Sequence, residues 1–155
     1  MRPLLILVVA VCWLGAALLF SIAVAPAAFA VLPTRALAGA LVGRVLPAIF
    51  VSGLVGAGVS VVLIVTRPRT AGMPLRLALA CAWAAACGIA QWGVMPRIER
   101  VRAAIAAPIE SLGADDPRRL TFGRLHGVSV ALLAAGMLAA LVLASLSGIL
   151  ARQRG

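Results

Sequence analysis

His126 and Ser129 are the residues of this chain best placed to do chemistry, and little else competes with them. Three positions apart, they share one face of a helix. An imidazole changes charge near neutral pH and can move protons there. A Ser/His/Asp arrangement would need Asp115 or Asp116 folded back towards that face. Arg124 lies about 200° round the helix from His126 and points elsewhere. Two more polar groups stand in apolar surroundings, Arg44 and Gln91. Arg44 can snorkel to a headgroup layer or serve as a cation in a polar pocket at one end of a bundle. Gln91 suits a hydrogen bond between helices.

The same inventory argues against cofactors. One histidine cannot supply both axial ligands of a two-histidine haem. Cys12, Cys81 and Cys87 are too scattered for a zinc site, which takes three or four ligands. Each falls in apolar sequence and reads as a small buried hydrophobe. Cys81 and Cys87, six positions apart, face different ways on a helix. No Asp or Glu lies within an apolar segment, so a proton-coupled carrier would lack its usual carboxylate. The expectation is no cofactor, no metal and no enzymatic activity.

What must position these groups is helix in lipid. Apolar residues make up 64% of the 155-residue chain and charged residues 12%, against about 25% charged in ordinary globular domains. Mean hydropathy is +1.15. Four apolar segments, at about 4–32, 36–65, 75–95 and 125–150, each exceed the roughly 20 residues that cross a bilayer. They predict an all-α, four-transmembrane-helix bundle forming a single domain, with one polar loop at 96–124. Pro33, Pro68, Pro74 and Pro96 mark boundaries, where a missing N–H costs least. Pro26 predicts a kink in the first segment. Arg44 and Pro47 leave the second helix either starting near Pro47 or kinked in its first turns. Within the loop, Ile98, Val101, Ile105 and Ile109 repeat at helical spacing and predict a short amphipathic helix at the membrane surface. Asp115-Asp116-Pro117 reads as a turn and a helix start, with Pro117 near the first helical position.

Small residues recur every fourth position: Ala17, Ser21 and Ala25; Ser52, Gly56 and Ser60; Ala78, Ala82, Ala86 and Ala90; Ala140, Ala144 and Gly148. Such stripes let membrane helices approach closely, within one chain or between copies. Trp13 and Trp83 are deep enough to be packing residues, whereas Trp92 suits an interfacial anchor.

All fourteen basic residues are Arg, and the net charge is +10. With heavy use of Ala, Val, Leu, Gly and Pro, this suggests a GC-rich bacterial genome. The Arg residues flank apolar segments without interleaved aromatics, so anionic headgroups of the lipid bilayer are the expected partner and nucleic acid is not. Arg2, Arg67, Arg69, Arg76, Arg152 and Arg154 fall on one side, and Arg35, Arg44, Arg97, Arg100, Arg102, Arg118, Arg119 and Arg124 on the other. The short second loop carries three Arg, which favours both termini in the cytoplasm. Residues 1–30 resemble a secretory signal, with Ala28-Phe29-Ala30 before Val31. The apolar stretch is longer than the 7–15 residues of such signals, so retention is expected.

Three stretches together carry a family resemblance. Ala23-Val24-Ala25-Pro26-Ala27-Ala28-Phe29, Leu32-Pro33, Ala38-Gly39 and Val45-Leu46-Pro47 resemble the first helical hairpin of the transmembrane protein 205-like family (domain of unknown function 4149). Met95-Pro96-Arg97-Ile98 resembles its exit from helix three, and Phe122-Gly123-Arg124-Leu125-His126-Gly127-Val128-Ser129 its entry to helix four. The resemblance implies a four-helix integral membrane protein of the bacterial cytoplasmic membrane, with no established reaction. It nominates Pro26, Phe29, Gly39, Pro47, Pro96, Arg124, His126 and Ser129. Leu133 stands where many members carry Asn, and Ile49-Phe50 where Tyr is frequent. The leading functional expectation is a non-enzymatic membrane subunit or stress-related factor, alone, as a homo-oligomer or with another membrane protein. A small oligomeric permeation pathway using Arg44, Gln91 and His126 is the alternative, and a membrane-embedded enzyme or cofactor-binding subunit a weaker one.

Overall fold

The computed structural model describes residues 1–66, 72–105 and 109–153, with only the backbone of Glu110. Expectations resting on Arg67, Pro68, Arg69 and Arg154 lie outside these residues. A chain this apolar must satisfy its backbone internally, and it does so as helix. Four helices are long and apolar enough to cross a membrane: α1 (Arg2–Val31), α2 (Arg35–Val65), α3 (Met73–Ala103) and α4 (Pro117–Arg152). Among the described residues there is no strand. Each helix packs on the next, and α4 closes the ring against α1. One end of the bundle carries the chain termini. There Arg2 ties α1 to the end of α2, its Nη1 donating to Thr66 O and Oγ1, each at 3.0 Å. The other, called the loop end, carries the connector 32–34 and residues 104–105 and 109–116.

The bundle is small inside and bulky outside. Ala10, Ala17, Gly56, Ala57, Ser60, Ala80, Ala90, Ala140 and Ala144 are buried, while Leu19, Val55 and Leu138 face outward and Ile22 is 73% exposed. Lipid solvates such a surface, so packing rather than water expulsion holds the helices together. The four-residue stripes hold only in part. Gly56, Ser60, Ala140 and Ala144 are buried, but Ser52, Ala78 and Ala82 face outward. A strict four-residue step overshoots the 3.6-residue turn and drifts off the interface. Cys87 is buried, but Cys12 and Cys81 are exposed on the outer face rather than packed inside.

Trp13 and Trp83 meet at the centre, with ring centroids 4.9 Å apart. Trp13 Nε1 donates to Ile49 O at 2.9 Å. Glycines make room for both rings. A Cβ on Gly53 would lie 2.8 Å from Trp13 Nε1 and 2.6 Å from Cys87 Sγ, and one on Gly56 would lie 2.9 Å from Trp83 Cη2. Trp92, by contrast, is exposed.

The two hairpins share one plan. In α1 the turn Phe20–Val24 is π-helical, and the Ala25 N–H donates to Phe20 O. In α3 the turn Ile89–Val94 is π-helical, and the Met95 N–H donates to Ala90 O. Pro26 and Pro96 each follow two residues on. A widened turn accommodates a residue that has no N–H and whose ring crowds the preceding carbonyl. The offset that carries Pro26 onto Pro96 also carries Trp13 onto Trp83, and buried Ile6, Ala10, Ala17 and Ala28 onto buried Arg76, Ala80, Cys87 and Ile98. In α2 and α4 a second offset carries Phe50, Gly53 and Ala57 onto Leu133, Gly136 and Ala140, all buried.

One boundary differs from the sequence reading, and two choose between its alternatives or join its elements. α2 starts at Arg35, because Thr34 Oγ1 accepts from the Leu37 N–H at 3.2 Å and caps it; Pro47 lies inside the helix. α3 does not stop at Pro96, because the π turn absorbs that proline. The predicted amphipathic helix is its last part, Met95–Ala103, with Ile98 buried and Arg97, Glu99 and Arg100 exposed. Ile105 and Ile109 lie beyond it. α4 starts at Pro117, where Asp115-Asp116-Pro117 predicts a helix start, and runs unbroken into the segment expected from about 125. Asp116 caps it, accepting from the Arg118 N–H at 2.8 Å and gripping the Arg118 guanidinium through both carboxylate oxygens.

That grip gives the cap a pH range. The hydrogen bonds from Arg118 push the Asp116 carboxyl down to about 2, from an ordinary 3.8. A depressed carboxylate stabilises the fold above its ordinary range and loses that contribution as pH falls through 3.8 towards 2. The carboxyl carbon of Asp116 should titrate near pH 2 by NMR, and Arg118→Ala should return it to the usual range. A wild-type midpoint near 4 would contradict this geometry.

Candidate functional site: a pocket at the loop end

A cavity of about 350 Å³ opens among all four helices at the loop end. Phe29 of α1, Leu46 of α2, Met95 and Ile98 of α3, Phe122 of α4 and Ile109 of the connector give it apolar walls. Arg35, Arg102, His126 and Ser129 give it polar groups.

Arg102 is the organising side chain. Its Nη2 donates to Gly39 O at 3.2 Å. Its guanidinium lies over the Phe122 ring, 5.4 Å from the centroid. Phe122 in turn stacks on His126, with centroids 6.3 Å apart and planes 7° from parallel. Arg102, Phe122 and His126 thus form a short stack from α3 to α4, the cation on an aromatic face. Glu99 lies 3.4 Å from Arg102 Nη1, but its side chain is 58% exposed against 28% for Arg102. The guanidinium rests on two glycines one helical turn apart. A Cβ on Gly39 would come within 3.0 Å of Nη2, and one on Gly43 within 2.9 Å of Nη1. A Cβ at either position would push the fork aside.

Of the residues nominated from sequence, Phe29, Gly39, His126 and Ser129 come together here. His126 and Ser129 do share a face, and Arg124 is exposed away from it. Pro26 and Pro96 lie two residues past the π turns of α1 and α3, and Pro47 lies one turn beyond Gly43. Arg44 is exposed and does not line the pocket: one residue past Gly43 is about 100° round the helix. Gln91 lies apart too. The hydrogen bond expected of it between helices is not made: its Oε1 is buried without a partner among the described residues. Asp116 is engaged as a cap and by Arg118, not by His126. Among the described residues no three His, Cys, Asp or Glu side chains gather to hold a metal.

Arg102, Gly43, Arg35 and Phe122 were not picked out by the sequence reading. The available signal was a glycine pair at four-residue spacing, Gly39 and Gly43, beside a basic helix end. Such a pair seats a flat group where a Cβ would collide.

The pocket ends short of the bundle centre. Leu46, on its wall, is one turn from Phe50, which is fully buried with Trp83 and Leu143. Fold and site thus define a class: a four-span membrane protein with an apolar-walled pocket carrying a few cationic and polar groups at one end, and a packed centre. The chain belongs to the family described as Domain of unknown function (DUF4149), whose model matches residues 8–107. The match covers α1 to α3; the Phe122–Ser129 stretch of α4 lies beyond it. No curated protein and no solved structure matches the chain.

Proposed function

We propose that this chain is a non-enzymatic membrane subunit or stress-related factor that works by holding a ligand in the loop-end pocket. One observation carries the reading: residues of all four helices converge on a cavity that stops a turn short of the Phe50–Trp83 layer. A closed-ended cavity can bind and present, but does not conduct. The likeness to transmembrane protein 205-like proteins and the all-Arg composition support a bacterial cytoplasmic membrane as its setting. With both termini in the cytoplasm, the pocket lies at the outer leaflet. Its small-residue faces suit association with copies of itself or another membrane protein.

The alternative, a permeation pathway, would need a route between copies, since this bundle is packed at its centre. Flux separates the two. Sealed vesicles containing the protein should be as tight to small anions and cations as protein-free vesicles. A flux that rises with protein content and saturates with solute would replace the binding reading with the permeation one.

A further inference from the structure

The pocket walls are apolar, yet two Arg and one His line them and no Asp or Glu does, among the described residues. Positive charge beside a low-dielectric cavity favours a counter-charge within it. Glu99 offsets Arg102 only from its more exposed position, and Arg35 adds a second guanidinium. The Arg102 fork has five N–H donors. Gly39 O and Glu99 do not exhaust them, and the glycine seat and Phe122 hold the fork in place. A cavity of about 350 Å³ is at the small end for ligand pockets. It suits a headgroup and the start of a chain, not a whole two-chain lipid.

We infer that the pocket binds the head of an anionic amphiphile, a phosphate or carboxylate held by Arg102 and Arg35, with the first part of an apolar chain against Phe29, Leu46 and Ile98. Basic pockets between membrane helices take anionic headgroups in this way. The inference rests on reading the pocket as a ligand site. The amphiphile can be a bilayer phospholipid or a free single-chain molecule, because both present the same chemistry.

The test is lipid retention by the purified full chain, read by native mass spectrometry. Phosphatidylglycerol and phosphatidylcholine with the same acyl chains are offered in equal amounts. Phosphatidylglycerol should be retained preferentially. Arg102→Gln should cut that preference about tenfold, the effect of losing one charge-assisted hydrogen bond. Gly43→Ala should also weaken it, because the new Cβ displaces the guanidinium without changing charge; Ala also favours the helix. Arg152→Gln, at the opposite end, should change nothing. No preference in the wild type, or equal losses in Arg102→Gln and Arg152→Gln, overturns the inference. Dodecyl phosphate separates the sources. If it displaces phosphatidylglycerol in an Arg102-dependent way, the site accepts free amphiphiles. If it does not while the lipid preference persists, the site is restricted to bilayer lipid. Lost preference with tight vesicles removes the ligand class and leaves the binding reading, whereas leaky vesicles remove that reading itself.

Discussion

Trp83→Ala should be among the most destabilising single substitutions in this chain, costing about 3–5 kcal/mol. Trp83 is fully buried, packs on Trp13 at 4.9 Å and fills the space left by Gly56. Lipid tails gain little from excluding an indole, so the loss is mainly of dispersion contacts in a close-packed interior. The glycines that admit the ring cannot move in to fill the hole, because they belong to helix backbones fixed by their own hydrogen bonds. Trp92→Ala is the control. Its side chain is 69% exposed, and the change should stay within about 0.5 kcal/mol. Reversible unfolding in mixed micelles, followed by helical circular dichroism, measures both. Equal effects of the two substitutions would mean that the tryptophan pair is not the centre of the bundle.

Much of this fold was legible in sequence because lipid simplifies the reading. Long apolar runs in a chain with few charges leave the backbone one solution. The reading of Trp13 and Trp83 as packing residues followed from their depth in each run. The common face of His126 and Ser129 followed from their three-residue spacing. What sequence hid depends on contacts between helices. Pro96 looked like an end because a proline normally breaks a helix, but a π turn before it absorbs the defect, and the same turn precedes Pro26. Arg102 looked like one more loop charge, since α3 was expected to have ended. Once α3 runs on to Ala103, Arg102 reaches Gly39 and Phe122. Arg44 was nominated for its place near Pro47, yet its neighbour Gly43 is the residue that faces the pocket. The four-residue stripes leave open whether they pack within the chain or between copies, and Ala78 and Ala82 face outward because the step drifts off the helical repeat.

The pocket is open at the loop end and closed towards the chain termini. Sided thiol labelling tests it most directly. In a chain with Cys12, Cys81 and Cys87 replaced by Ala, single cysteines are placed at Ser129, on the pocket wall, and at Gly136, two turns deeper beside Trp13 and Trp83. A charged, membrane-impermeant methanethiosulfonate reagent is applied to either side of sealed vesicles of known orientation. Ser129→Cys should react from the loop side alone, and Gly136→Cys should be silent from both sides. Labelling of Ser129→Cys from the terminal side, or rapid labelling of Gly136→Cys, would mean that water passes the tryptophan layer, and the closed-pocket account would be wrong.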